Sequence, residues 1–266
     1  GFTIAKGVTI ENAYSGGGDD RLTGNDADNI LHSGGGRDIL VGGRGRDLLD
    51  GGGGADRMDG GTSADIYIVN HRGDVVIERP FSGIDTVKSS VSFRLGDNVE
   101  NLVLTGTANL TGRGNSVANE IAGNRSDNVL VGFEGDDVIS GGAGNDRIYG
   151  GSGQDKLSGG EGSDRFYFTD APGVANADQI LDFTRGQDRI HLARYAFSGV
   201  GEASTVNKAM FALGTEAHDA SDRIIYDQAT GRIFYDADGT GELPALLFAT
   251  VTPGTVLTPT SFEIYG

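Results

Sequence analysis

The sequence predicts an all-β fold wound as a solenoid, and three observations predict it. A nine-residue unit, G-G-x-G-x-D-x-U-x with U a large apolar residue, repeats without a slip from Ser15 to Ile68 and again from Gly114 onward. Glycine is far above its usual share, 46 of 266 residues against roughly 7 %. Outside the repeats, short runs alternate apolar and polar residues and are rich in β-branched side chains, the pattern of half-buried strands. A fixed short period of this kind is the mark of stacked coils that bury a common interior.

Each unit explains itself locally. The first array reads SGGGDDRLT, GNDADNILH, SGGGRDILV, GGRGRDLLD, GGGGADRMD and GGTSADIYI; the second reads GNSVANEIA, GNRSDNVLV, GFEGDDVIS, GGAGNDRIY, GGSGQDKLS and GGEGSDRFY. Glycines at positions 1, 2 and 4 permit positive φ and close backbone approach, so the first six residues form a turn. Positions 7 to 9 make a short strand whose position 8 points inward. That position holds Leu22, Leu31, Leu40, Leu49, Met58 and Tyr67, then Ile121, Leu130, Ile139, Ile148, Leu157 and Phe166.

Two units close one coil, so turns eighteen residues apart lie over each other and their position-6 carboxylates converge. The pairs are Asp20 with Asp38, Asp38 with Asp56, Asp47 with Asp65, Asp137 with Asp155, and Asp146 with Asp164. Two carboxylates with turn carbonyls form a hard oxygen cage of the kind calcium takes. The carbonyl-bearing positions 2 and 4 are Gly16, Gly18, Gly34, Gly36, Gly43, Gly45, Gly52, Gly54, Gly135, Gly142, Gly144, Gly151, Gly153, Gly160 and Gly162, and Asp164 closes the set of carboxylates. This repeat resembles the calcium-binding nonapeptide of RTX (hemolysin-type) proteins. The resemblance implies a right-handed parallel β-roll and Ca2+ as the bound ion.

One apolar side chain per nine residues gains far less than the ordering of nine backbone residues costs, and stacked aspartates repel. Calcium supplies the missing stabilisation, so binding and folding are expected to be one event. Without calcium the glycine- and charge-rich arrays are expected to behave as a disordered linker.

A net charge of −17 disfavours nucleic acid and anionic membrane surfaces as partners. Each array offers at most four paired sites, and eight calcium ions would nearly cancel that charge. The units with Asn29, Asn119 or Asn128 at position 6 are expected to bind weakly or not at all. Cysteine is absent, so calcium takes the stapling role that disulfides have in many secreted proteins. No apolar run reaches the 18 residues of a membrane span, and the N-terminus lacks the pattern of a cleaved signal peptide.

Residues 1–14 read as a lead-in strand. Thr3-Ile-Ala-Lys-Gly-Val-Thr-Ile-Glu-Asn-Ala13 is similar to a stretch preceding the repeats of serralysin-like metalloproteases. That resemblance implies a chain that continues upstream, a C-terminal uncleaved secretion signal and export by the type I apparatus. The ending Ser261-Phe-Glu-Ile-Tyr-Gly266 fits such a signal and equally fits a last β-strand.

The first array spans 15–68. Residues 69–113 break the period but keep strand patterns at 74–78, 85–93 and 98–104; they read as wider coils joining both arrays into one rod, with a separate domain as the alternative. The second array spans 114–168. From 169 to 266 the chain reads as a β-rich cap over the open end of the roll, similar to the cap in serralysins. Strands are expected at 178–183, 188–192, 223–226, 232–235 and 245–248. Hairpin turns are expected at Thr184-Arg-Gly-Gln, Asp227-Gln-Ala-Thr-Gly and Asp236-Ala-Asp-Gly-Thr-Gly, and a short helix at 204–211.

Catalytic motifs are missing. The serralysin zinc signature His-Glu-x-x-His is absent, His32, His71, His191 and His218 stand apart, and no Gly-x-Ser-x-Gly elbow exists. The chain is therefore not expected to be an enzyme. Asp236, Asp238 and Glu242 suggest one more cation loop, but their glycine falls at the fourth place, against the EF-hand pattern, so a turn is favoured. The function expected is a calcium-binding β-roll that folds outside the cell and supports type I secretion, as the C-terminal part of a secreted serralysin-like protein. A carbohydrate-binding or adhesive extracellular module, with polysaccharide as partner, is the alternative; the few array aromatics (Tyr67, Tyr149, Tyr167) count against sugar stacking.

Overall fold

A computed structural model describes residues 11–266. Of the lead-in strand expected at 1–14, residues 1–10 lie outside the described residues and Asn12–Tyr14 is a strand. The chain is all-β, a parallel solenoid; among the described residues the helical pieces are short 3₁₀ turns. It divides into two compact units, 1–120 and 121–266, a boundary inside the first unit of the second array.

In the first unit, Asn12–Tyr14, Ile30–His32, Leu48–Asp50, Ile66–Val69, Thr86–Ser89 and Asn101–Leu104 pair in that order in one parallel sheet. Arg21–Thr23, Ile39–Arg44, Arg57–Thr62 and Val75–Ile77 form a second, and Phe93–Arg94 pairs in parallel with Thr111–Arg113 in a third. Ile30 faces Leu48 and Ile39 faces Arg57, so neighbouring strands are one eighteen-residue coil apart. In the spacer the step between Asp65 and Asp85 is 20 residues and that between Thr86 and Asn101 is 15. The spacer coils thus vary in length, and the step from Phe93 to Gly112 is 19.

In the second unit, Val138–Ala143, Lys156–Glu161 and Asp178–Ile180 form one parallel face, opposite Val129–Glu134, Arg147–Ser152, Arg165–Phe168, Arg189–Ala193 and Phe262–Tyr265. Asp178–Ile180 then pairs with Leu246–Val251, which leads through antiparallel neighbours Arg232–Tyr235 and Ile224–Asp227 to Phe211–Leu213. Phe197 is the hub of this last region, edge-on to Tyr235 and Phe248 at 5.1 Å each.

The inward position 8 is buried at every unit from Leu31 onward, Ile121 and Phe166 included. Leu22, in the first described coil, is only half-buried. Two expectations for the cap are corrected. Residues 204–211 are turns leading into a strand, not a helix, because Thr205 bridges Glu263 and the carboxamide of Asn207 accepts the Ala209 N–H. Thr184-Arg-Gly-Gln is a solenoid corner, not a hairpin: the strands beside it, Asp178–Ile180 and Arg189–Ala193, lie in different sheets. The other two turns do join antiparallel strands.

Candidate metal centres

The corners repeat one geometry. In each expected pair the later carboxylate accepts, on Oδ1, the backbone N–H of the position-6 residue one coil earlier. The distances are 2.8 Å for Asp20 to Asp38, 2.8 Å for Asp38 to Asp56, 2.7 Å for Asp47 to Asp65, 2.8 Å for Asp137 to Asp155 and 2.9 Å for Asp146 to Asp164. All five expected pairs are therefore stacked. The second oxygen is left over. Oδ2 of Asp38, Asp47, Asp56, Asp65, Asp146, Asp155 and Asp164 is buried without a hydrogen-bond donor. Burying an anionic oxygen unpaired is costly.

The glycines show how closely the corners are packed around these oxygens. A Cβ on Gly42 would fall 2.2 Å from Asp47 Oδ2 and 2.5 Å from the Gly60 carbonyl oxygen; on Gly141 it would fall 2.3 Å from Asp146 Oδ2 and 2.5 Å from the Gly159 oxygen. Carboxylate and carbonyl thus face one small space, from successive coils. Positions 2 and 4 sit directly over the carbonyls of the coil before. A Cβ at Gly34 would be 2.3 Å from Gly16 O, at Gly36 2.3 Å from Gly18 O, at Gly153 2.2 Å from Gly135 O, and at Gly160 2.0 Å from Gly142 O. Gly43 and Gly45 lie over Asn25 and Ala27, and Gly151 over Phe133. The donors are all oxygens, they are anionic in net charge, and one oxygen per carboxylate is unspent. Such a set fits a hard divalent cation such as calcium.

The asparagine units are built differently. Asn29 Oδ1 accepts the Asn25 N–H at 2.8 Å, Asn128 Oδ1 the Asn124 N–H at 2.7 Å, and Asn119 Oδ1 the Asn115 N–H at 2.8 Å. A neutral amide closes each of those turns from within, which is the physical reason to expect weak binding there.

Four members of the carboxylate ladder escaped the sequence reading. Asp74, Asp85, Asp178 and Asp188 accept the N–H of Asp56, Asp65, Asp155 and Asp164. Their steps are 18, 20, 23 and 24 residues, so a nine-residue frame does not reach all of them. The signal that could have found them is the tripeptide Asp-x-apolar opening a strand: Asp74-Val-Val, Asp85-Thr-Val, Asp178-Gln-Ile and Asp188-Arg-Ile. Asp74 and Asp188 also take N–H groups of their own turns on Oδ2, from His71 at 3.0 Å and Thr184 at 2.6 Å. The loop at 236–242 behaves as a turn: Asp236 Oδ1 accepts the Asp238 and Gly239 N–H groups, and Glu242 is exposed. The histidines lie apart; His32 pairs with Asp50 at 3.0 Å and His191 with Glu263 at 3.5 Å. Tyr149 and Tyr167 stack on each other, centroids 4.3 Å apart, so each covers one ring face of the other.

Burial pushes the ladder carboxyls up, to about 6 for Asp47 and Asp155 and about 7 for Asp65 and Asp146, with neighbouring carboxylates adding to the rise. Their folded values stand above the unfolded one, near 3.9. The stability they contribute is therefore full below about pH 4 and is lost as pH rises through about 6 to 7. Calcium-stripped protein is expected to show more β signal by circular dichroism at pH 5 than at pH 8. Protons and calcium compete for the same oxygens, so calcium affinity should weaken as pH falls through about 7 to 6. Equal or greater β signal at pH 8 in stripped protein would contradict this.

Residues 9–40, 33–67, 113–148 and 131–166 match, as four copies, the family described as RTX calcium-binding nonapeptide repeat. Among solved structures the chain is similar to the AlgE6R3 subunit of the Azotobacter vinelandii mannuronan C5-epimerase, with 27 % identity, a TM-score of 0.38, and 55 % of this chain and 78 % of that one covered. It is also similar to extracellular lipase LipA from Serratia marcescens, with 15 % identity, a TM-score of 0.34, and 91 % of this chain and 40 % of the lipase covered. No curated protein matches the chain in sequence.

Proposed function

From the premise that residues 9–67 and 113–166 are RTX calcium-binding nonapeptide repeats, we propose that this chain is a calcium-gated folding module of a secreted protein, and not an enzyme in itself. The observation that carries the proposal is the row of buried, unsatisfied Asp Oδ2 atoms, one to a coil corner. Asp38, Asp47, Asp56, Asp65, Asp137, Asp146, Asp155 and Asp164 would hold the ions, together with carbonyls at positions 2 and 4. Bound calcium supplies the positive charge that neutralises stacked carboxylates. The chain's own residues do the rest: position 8 fills the interior, and the glycines let the coils approach to backbone contact.

In a calcium-poor cytosol the aspartates repel and the chain stays extended, a state fit for export. Outside the cell the coils close. Export by a type I apparatus through a C-terminal signal, and a place as the C-terminal part of a serralysin-like protein, belong to the same proposal. The final residues do double service in it, since Phe262–Tyr265 is a strand paired with Arg189–Ala193. Among the described residues no helix is long and apolar enough to cross a membrane.

Calcium counting by calorimetric titration of the whole chain tests the assignment. Asp146→Asn keeps the shape of the side chain but removes its charge and one of its two ligand oxygens, and is expected to lose at least one ion and to need more calcium to fold. The same count and the same midpoint as the parent would overturn it.

A further inference from the structure

The last unit of the first array carries Tyr67 where other units carry an aliphatic residue or a phenylalanine. Its hydroxyl accepts the Gly60 N–H at 2.7 Å and donates to Glu78, a spacer residue only 8 % exposed. Beside them lie Asp65 and Asp85, both fully buried. One carboxylate oxygen from each of Asp65, Glu78 and Asp85 lies within 4.8 Å of the other two.

These groups are short of positive partners. Among the described residues no ion pair reaches Asp65, Glu78 or Asp85; Arg79, the next residue along, turns outward to Asp59 at 3.7 Å. Asp65 Oδ1 is used by the Asp47 N–H and its Oδ2 is buried without a partner. That Oδ2 is aimed at the cluster: a Cβ on Gly60 would fall 2.2 Å from it and 2.3 Å from the Tyr67 hydroxyl oxygen, which holds Glu78. Asp85 Oδ1 takes the Asp65 N–H at 2.8 Å. Its Oδ2 stands 3.5 Å from Ser82 Oγ, a hydroxyl that also donates to the Arg79 carbonyl at 2.7 Å.

Three buried carboxylates without a counter-charge are not stable as anions. All three groups are hard oxygens, which excludes soft metals. A cluster of three protein carboxylates fits calcium, which takes six to eight oxygen ligands, better than magnesium, which keeps several waters and takes one or two carboxylates. We propose that Asp65, Glu78 and Asp85 form a calcium site of the spacer, outside the nonapeptide register, with the Tyr67 hydroxyl orienting Glu78. The repeat match stops at residue 67, so Glu78 and Asp85 lie beyond it. Such a site would pin a coil that has grown to 20 residues, where the repeat can no longer supply an aspartate at the usual step. It does not depend on the repeats gating folding.

The test is the calcium stoichiometry of the whole chain, parent against Glu78→Gln. One ion fewer, with a lower melting temperature in calcium, is the expected result. Glutamine keeps the hydrogen bond to Tyr67. If Glu78 is only a protonated partner of that hydroxyl, the count stays the same and melting in calcium stays level or rises, which overturns the site. Asp146→Asn, in the other compact unit, serves as the control: an ion lost there but none lost in Glu78→Gln sinks this inference and leaves the repeats untouched. Should Glu78→Gln fail to fold, terbium emission excited through tyrosine decides, since the chain has no tryptophan. Emission that falls in Tyr67→Phe and persists in Asp47→Asn supports the site; emission that persists in Tyr67→Phe, or is lost in Asp47→Asn, overturns it.

Discussion

Stripped of calcium, the chain is expected to lose its β signal in circular dichroism and to expand, and restoring calcium is expected to reverse both. The transition is expected at roughly 10⁻⁴–10⁻³ M calcium, the range of extracellular modules. Each site that binds only the folded chain adds about 2.7 kcal/mol when calcium stands at about 100 times its dissociation constant. Several such sites acting on one cooperative stack exceed the net stability of an ordinary domain, about 5–15 kcal/mol. The interior explains the dependence. Between Leu31 and Tyr67 one buried apolar side chain serves nine residues, while four buried carboxylate oxygens, those of Asp38, Asp47, Asp56 and Asp65, go without a donor. Circular dichroism with a hydrodynamic measurement across a calcium titration checks this. Full β signal and an unchanged radius in chelator would show that packing alone holds the coils.

The second large effect is expected from one methyl group. Gly54 has φ +132°, a conformation that L side chains rarely adopt, and a Cβ there would lie 1.6 Å from the Gly36 carbonyl oxygen. Backbone strain alone costs about 1–3 kcal/mol, and the collision forces two coils apart at a corner where calcium ligands must converge. Gly54→Ala should therefore lose more than about 3 kcal/mol in calcium-saturated urea unfolding and should bind fewer ions. Gly106→Ala is the comparison. Its φ is +76° but nothing stands within 4 Å of the added atom, so only the left-handed strain of about 1–2 kcal/mol is expected. Equal losses in the two variants would mean that coil-to-coil contact at Gly54 contributes nothing.

Much of this was legible in the residues because the repeat unit is shorter than its own stacking distance. A turn of six and a strand of three are settled by neighbours in the chain: glycine at positions 2 and 4, aspartate at 6, an apolar residue at 8. Leu49, Ile148 and the pair Asp47 with Asp65 could therefore be placed by counting. Leu22 shows the limit of counting, since it occupies the inward position in the first described coil and is only half covered. The helix expected at 204–211 shows another. Local propensity there yields to Thr205, held against the final strand, and to Val206, which is 3 % exposed.

By itself, then, the sequence determined the coil, its inward residues and the stacked aspartate pairs, all consequences of a fixed nine-residue step. Tertiary structure decided where the ladder leaves that step. Asp85, Asp178 and Asp188 join it after 20, 23 and 24 residues, and Glu78 meets Asp65 and Asp85 across a coil. The physical reason is that rungs form between coils, not along the chain. A hydrogen bond from an N–H to a carboxylate in the next coil asks only that the two corners be superposed, and a loop of any suitable length can superpose them.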